Sequence, residues 1–115
     1  MQPGDVFRWF DEHSNHRYVV VSAAVFNQRD EVLVVPMYSY DGDEAEVERQ
    51  AQYECHVLVE PDGRGITRRM VACAEDLGPV PVLDRIDPEA ISILDETTMF
   101  EIRRAIGRVI EADLY

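Results

Sequence analysis

The sequence predicts a mainly β fold, a small antiparallel sheet that is strongly coiled or closed into a barrel, with one C-terminal helix packed at its end. Three observations carry this. Short runs rich in β-branched and aromatic residues recur through the first two thirds of the chain. Clusters of Asn, Asp, Gly and Pro separate them. From Asp95 onward the apolar spacing changes from a period of two to one of 3.6. The 115 residues, 46% of them hydrophobic, suffice for one core, so residues 1–115 are expected to form one domain that needs neither a disulfide nor a structural metal.

The first strand is expected in GDVFRWF, Gly4 to Phe10, with Val6, Arg8 and Phe10 facing away from Phe7 and Trp9. A polar turn, DEHSNH, follows from Asp11 to His16. RYVVVSAAVF is a nearly continuous apolar run of the kind that is buried on both faces. EVLVVPMYSY gives a third strand in which Pro36, lacking an N–H, marks an edge or a bulge. DGDEAEVERQAQYE, from Asp41 to Glu54, carries six acids and one Arg and is expected to be a solvated loop or a short exposed helix. CHVLVE and RRMVACAEDL are two further strands that pair back through the turn PDGRG. Pro79 and Pro81 punctuate the chain, and Asp87-Pro88 is expected to open a helical turn reaching Leu94. The closing helix, Asp95 to Leu114, is expected to turn Met99, Ile102, Ile106 and Ile110 inward. Thr97 or Thr98 is its N-cap, and Thr98 with Glu101 fits a capping box.

Charge narrows the function. With 23 acidic residues against 11 basic ones the net charge is −12, and every basic residue is Arg. A chain with this field does not coat a polyanion, so any contact with RNA or DNA has to come from a local cleft bearing Arg. The two cysteines, Cys55 and Cys73, make no disulfide framework, and the first thirty residues lack a secretory pattern, so a cytoplasmic protein is expected. No apolar run approaches the roughly 20 residues of a membrane-spanning helix. Phosphate loops, dinucleotide fingerprints and nucleophile elbows are absent from the sequence. His13, His16, Cys55 and His56 are residue types that bind zinc, but they lack paired-ligand spacing, and no metal or other cofactor is expected.

Five segments, in order, resemble the MazF/PemK toxins: the start GDVF, then HRYVVVSAAVFN, VLVVPMYS and MVACAEDL, and the closing helix. The resemblance covers most of the chain except the acidic stretch from Asp41 to Gln52. It implies the SH3-like coiled barrel of the CcdB/MazF type, a homodimer whose groove binds substrate, a cognate antitoxin as partner, and metal-independent cleavage of single-stranded RNA. That reaction needs a group to take the proton of a ribose 2′-hydroxyl, a cation to hold the charge building on the phosphate, and a donor for the leaving oxygen. By resemblance Arg17 is the cation, Ser39 the hydroxyl that fixes the phosphate, Glu75 the proton acceptor and His16 the donor to the leaving oxygen. Tyr38, His13 and Asp76 are the further substrate-binding candidates. The chain departs from the family's pattern in its short first loop, in Tyr18 where the family has Pro, and in Tyr38 where it has Thr. The related CcdB toxins bind gyrase and cleave nothing, so a non-catalytic module directed at a protein target is the alternative.

Overall fold

The computed structural model describes residues 1–8, 17–23, 31–81 and 89–113. The expected readings of Trp9, Phe10, the loop DEHSNH with His13 and His16, the run 24–30 and the start of the Asp87 turn lie outside them. Seven strands form one antiparallel sheet: β1 (Asp5–Arg8), β2 (Arg17–Val20), β3 (Glu31–Tyr38), β4 (His56–Val59), β5 (Met70–Cys73), β6 (Gly78–Pro81) and β7 (Ser92–Ile93). Their order is β4-β5-β3-β2-β1-β7, with β6 also on β3. Among the described residues two α-helices pack on it, α1 (Glu44–Gln50) and α2 (Glu96–Asp113). The architecture is a curled antiparallel sheet closed by the C-terminal helix, the mainly β class that the sequence predicts.

Apolar runs replace strict alternation because both sheet faces are covered. Val6, Val19, Val35, Met37, Val59, Met70 and Ala72 meet Met99 and Ile102 of α2 on one face. On the other, Phe7, Val20, Val32, Val34 and Val80 form a second cluster, and Val71 and Cys73 pack with Val47 of α1 in a third. The acidic stretch is therefore a helix pinned by one buried valine. Asp43 caps it by accepting from the Glu46 N–H at 3.2 Å.

Pro36 sits in the middle of the central strand. One side of β3 pairs with β2 over Val34–Met37, Arg17↔Met37 to Val20↔Val34. The other side changes partner, from β6 over Glu31–Val34 to β5 over Met37–Tyr38. Val35 and Pro36 fall in the gap, where no strand asks for the N–H that proline lacks. The prolines at 79 and 81, expected as punctuation, belong to β6, and Ser92–Ile93 pairs with β1 where a helical turn is expected.

Two expectations for the closing helix are corrected. Asp95, not Thr97 or Thr98, caps it, its Oδ1 accepting from the Thr98 N–H at 2.7 Å. A carboxylate placed one residue ahead of the first turn also complements the helix dipole, which a threonine hydroxyl does not. Met99, Ile102 and Ala105 are buried and Ile106 is half-buried, but Ile110 is 57% exposed. The helix packs on β4 and the turn Ala74–Asp76; its last turns run past this support.

Candidate active site

A cleft of about 140 Å³ opens on the face that α2 covers, lined by Arg17, Ser39, Gly65, Thr67, Arg68 and Met70. Strand register builds it. Arg17 is the first residue of β2 and pairs with Met37, so its side chain lies on the Met37 face. Ser39 follows two residues later, just past the end of β3, and is 93% buried (7% exposed). The Arg17 Nε–H donates to the Gly65 carbonyl at 3.4 Å.

Gly65 belongs to a tight loop organised by Asp62. The Asp62 carboxylate accepts the backbone N–H groups of Arg64 (2.8 Å) and Ile66 (3.2 Å), and the Ser92 hydroxyl. Burial would raise this carboxyl, but the Ser92 and backbone hydrogen bonds outweigh it and hold it below its ordinary value. Gly65 is fixed by crowding, since a Cβ there would stand 2.6 Å from both the Cβ and the carbonyl oxygen of Ile91. Arg68 is seated the same way, across the chain. Gly42 has φ +79°, and a Cβ on it would lie 2.7 Å from Arg68 Nη1, so the guanidinium rests on bare backbone. The preceding Tyr40 and Asp41 also have positive φ, 51° and 56°. Such non-glycine conformations cost on the order of 1 kcal/mol or more each, and here they adjoin Ser39.

Arg17 also faces a like charge, because Arg8 is its direct cross-strand partner on β1. Burial and then Arg8 lower the Arg17 pKa below that of a free guanidinium. In a chain with net charge −12, three arginines converge at one end of one sheet face. The described lining of the cleft thus holds two guanidinium groups and two hydroxyls, and no carboxylate or imidazole.

The opposite face of the same strands holds acids and weak acids. The Tyr38 hydroxyl donates to Asp76 Oδ2 at 3.3 Å, and burial, followed by the Asp76 charge, raises the phenol above its ordinary value. The Tyr40 phenol is raised likewise, first by burial and then by Cys73, whose sulfur lies 3.9 Å from its hydroxyl. Burial pushes the Cys73 thiol up to about 12, against the opposing hydrogen bond from Tyr40 and aided by Glu75 and Asp76. His56, paired directly with Cys73 across β4 and β5, holds Glu75 Oε1 at 2.5 Å through Nε2.

Of the residues that the sequence singles out, Arg17 and Ser39 meet in the cleft. Tyr38, Glu75 and Asp76 lie together on the other face and do not join them within one chain. His16 and His13 fall outside the described residues. Sequence reasoning gave no role to Thr67, Arg68 or Arg8, which sit in a loop and on a strand without any motif. The available hint is charge: Arg68 and Arg69 adjoin in a chain where acids outnumber basic residues two to one.

The family model of the PemK-like, MazF-like toxins of type II toxin-antitoxin systems matches residues 7–110. The fold is similar to that of a mycobacterial endoribonuclease solved in complex with its cognate antitoxin, with TM-score 0.73 and 15% identity over 96% of this chain and 95% of that one. A mycobacterial endoribonuclease solved separately gives 0.71 and 16% over 96% and 91%. The Mycobacterium tuberculosis toxin MazF-mt6 gives 0.69 and 16% over 96% and 97%. No curated protein matches the chain by sequence.

Proposed function

Because the chain belongs to the PemK-like, MazF-like toxins of type II toxin-antitoxin systems, we propose that it is an endoribonuclease that cuts single-stranded RNA in the Arg17 cleft. The observation that carries the reading is the pairing of Arg17 with Arg8 on a strongly acidic chain, with Arg68 beside the same cleft. Directly opposed like charges destabilise a sheet. A polyanion bound between them reverses that cost.

In the reaction the ribose 2′-oxygen attacks the adjacent phosphorus and loses its proton. The bond from phosphorus to the 5′-oxygen breaks, and that oxygen gains a proton. Arg17 and Arg68 hold the two non-bridging oxygens as negative charge builds, a task suited to planar forks. Ser39 and Thr67 donate hydroxyls to the same phosphate. His16, the residue before Arg17 in the sequence, and Glu75 are the candidates for proton transfer, His16 with an ordinary pKa of about 6.5 suited to giving a proton to the leaving oxygen and Glu75 as the acceptor. Glu75 and Asp76 are turned away from the cleft in the same chain, and reach it only if a second copy presents them. A homodimer and an antitoxin partner complete the proposal, supported by the family and by the similar fold solved with its cognate antitoxin. Among the described residues no helix is long and apolar enough to cross a membrane.

The test is cleavage of a long single-stranded RNA by the purified chain, with and without chelator, alongside sedimentation. The expected result is chelator-insensitive cleavage with ends bearing a cyclic or 3′-phosphate, at a mass near twice the chain's 13.2 kDa. The cleft's lack of a described general base favours one rival, a non-catalytic module that binds a protein target. RNA left intact by the dimer assigns the chain to it.

A further inference from the structure

The face away from the Arg17 cleft of the same chain carries a second arrangement of polar side chains. His56 and Cys73 are direct partners across β4 and β5, and Glu75 follows in the turn Ala74–Asp76. One imidazole nitrogen, the Cys73 sulfur and one Glu75 oxygen all lie within 4.8 Å of one another. We propose that His56, Cys73 and Glu75 bind a divalent cation of the zinc type.

Hydrogen bonding at His56 makes the argument. Its Nδ1 stands 2.7 Å from the Gln50 carbonyl oxygen. A carbonyl only accepts, so Nδ1 donates to it and Nε2 is the ring atom left to face Glu75. Nε2 is the atom aimed at Glu75 Oε1, 2.5 Å away. At that distance a proton bridges Nε2 and Oε1, and a metal ion binds here by displacing it and spreading the two atoms apart. A second proton on the ring serves two atoms, whereas a metal ion serves all three, and the third is sulfur. A histidine ligand that donates its other N–H to a backbone carbonyl is the usual arrangement at metal centres, because it fixes both tautomer and ring orientation.

The donor set selects the metal. The ion displaces the Cys73 proton to solvent as it binds, and thiolate, imidazole and carboxylate together suit zinc, while the sulfur disfavours magnesium and calcium. Zinc bonds of about 2.0–2.3 Å place ligand atoms roughly 3.5 Å apart in a tetrahedron, so the present cluster needs shifts on the order of 1 Å. Glu75, with 43% of its side chain exposed, has that freedom, while the His56 side chain is only 7% exposed and stays fixed. The route in is a cavity of about 410 Å³ lined by Gln50, Tyr53, Glu54 and Cys55 together with His56 and Glu75. Water completes the fourth position. The ion clamps the end of α1, through Gln50 and His56, to β5. Its site stands apart from the Arg17 cleft of the same chain, and metal binding is read by a spectral band that RNA cleavage does not produce, so the two readings fail separately.

The experiment uses the full chain, reduced, stripped with chelator and freed of it, then titrated with Co²⁺ and afterwards Zn²⁺. One Co²⁺ per chain is expected, with the near-ultraviolet sulfur-to-cobalt charge-transfer band, displaced by an equal amount of Zn²⁺ and not by Mg²⁺. Cys73→Ser is expected to abolish the band, and His56→Ala and Glu75→Gln to weaken binding at least tenfold. Cys55→Ser is expected to leave it intact. Because Cys73 is a core residue, Glu75→Gln, checked by circular dichroism for an unchanged fold, decides the matter if Cys73→Ser does not fold. Absence of the band in the wild-type chain, an undiminished Co²⁺ affinity in Glu75→Gln, or loss of the band in Cys55→Ser overturns the proposal. So does a nitrogen NMR spectrum of the stripped chain, unchanged by Zn²⁺, in which both His56 ring nitrogens carry protons.

Discussion

Tyr38 and Ser39 are consecutive residues in opposite surroundings. Ser39 looks into a cleft with the guanidinium groups of Arg17 and Arg68, whereas Tyr38 donates to Asp76 beside Glu75 and His56. One side is built to meet negative charge. The other holds protons on a thiol and two phenols that burial keeps neutral. Tyr38 closes β3 and Ser39 is the helical-region residue that follows it, so the chain turns between them and one stretch of sequence faces two different surroundings.

The largest way to break this comparison is to remove the charge on the cleft side. If Arg17 stabilises the transition state of phosphate cleavage, Arg17→Ala is expected to lower the cleavage rate by roughly 100-fold or more, about 2.7 kcal/mol. Single-turnover rates on one RNA substrate measure it. A loss below about tenfold would mean that the two faces do not divide the work as described. Arg17→Lys restores the charge without the bidentate fork, and is expected to recover only part of the rate.

How far this division can be read in the sequence depends on the element. β1 to β3 are legible because their apolar runs reflect burial on both faces. β6 is hidden behind Gly78, Pro79 and Pro81, residues that argue against a strand until β3 is seen to offer it an edge. Pro36 is readable as an interruption, but its cause, a change of partner across Val35 and Pro36, is a property of three strands at once. In the helix, periodicity groups Ile110 with Met99, Ile102 and Ile106, yet Ile110 is exposed, because spacing alone does not say how far along the helix the packing extends. At the site, Arg17 and Ser39, singled out by the resemblance, are the two candidates that the structure brings into one cleft. Arg68 is not singled out, since what seats it is the missing Cβ of Gly42, 26 residues earlier in the chain. Nor does chain order show that Glu75 turns toward His56: it lies in a 3-10 turn after β5, where alternation no longer applies.

The proton-holding face is sharpened by alkali. Cys73 binds its proton in the folded chain up to about 12, while an unfolded cysteine releases it near about 8.5. Between those values the folded state holds more protons than the unfolded one, so stability is complete below about pH 8.5 and is lost as pH rises toward 12. Tyr38 and Tyr40, both raised, steepen the loss above about pH 10, the ordinary phenol value. The urea midpoint is expected to be flat near neutrality and to fall from about pH 8.5. In Cys73→Ala the fall is expected to begin only near pH 10. An unchanged onset in that variant would remove Cys73 from the account. On the acid side Asp62, held low by its hydrogen bonds, contributes stability that is present above about pH 4 and is lost as pH falls further.

The smallest expected effect is the most discriminating, because it has opposite signs in two measurements. Arg8 stands directly across from Arg17, and its charge contributes to lowering the Arg17 pKa. If Arg8 were only a solvated strand end, its removal would relieve a repulsion and do nothing else. If it belongs to the cleft's cationic surface, its removal also takes one positive charge from bound RNA. Arg8→Gln is therefore expected to raise stability by a few tenths of a kcal/mol, the scale of a cross-strand like-charge pair. It is also expected to weaken RNA binding severalfold and to flatten the dependence of log affinity on log salt by about 0.7, the share of one phosphate contact on a single strand. Denaturant midpoints and binding isotherms at two salt concentrations give both numbers from one preparation. Stability that rises while the salt slope falls identifies a charge kept at the expense of the fold, as a substrate-facing residue on an acidic protein should be. A rise in stability with an unaltered slope would leave Arg17 and Arg68 as the cleft's whole cationic surface among the described residues.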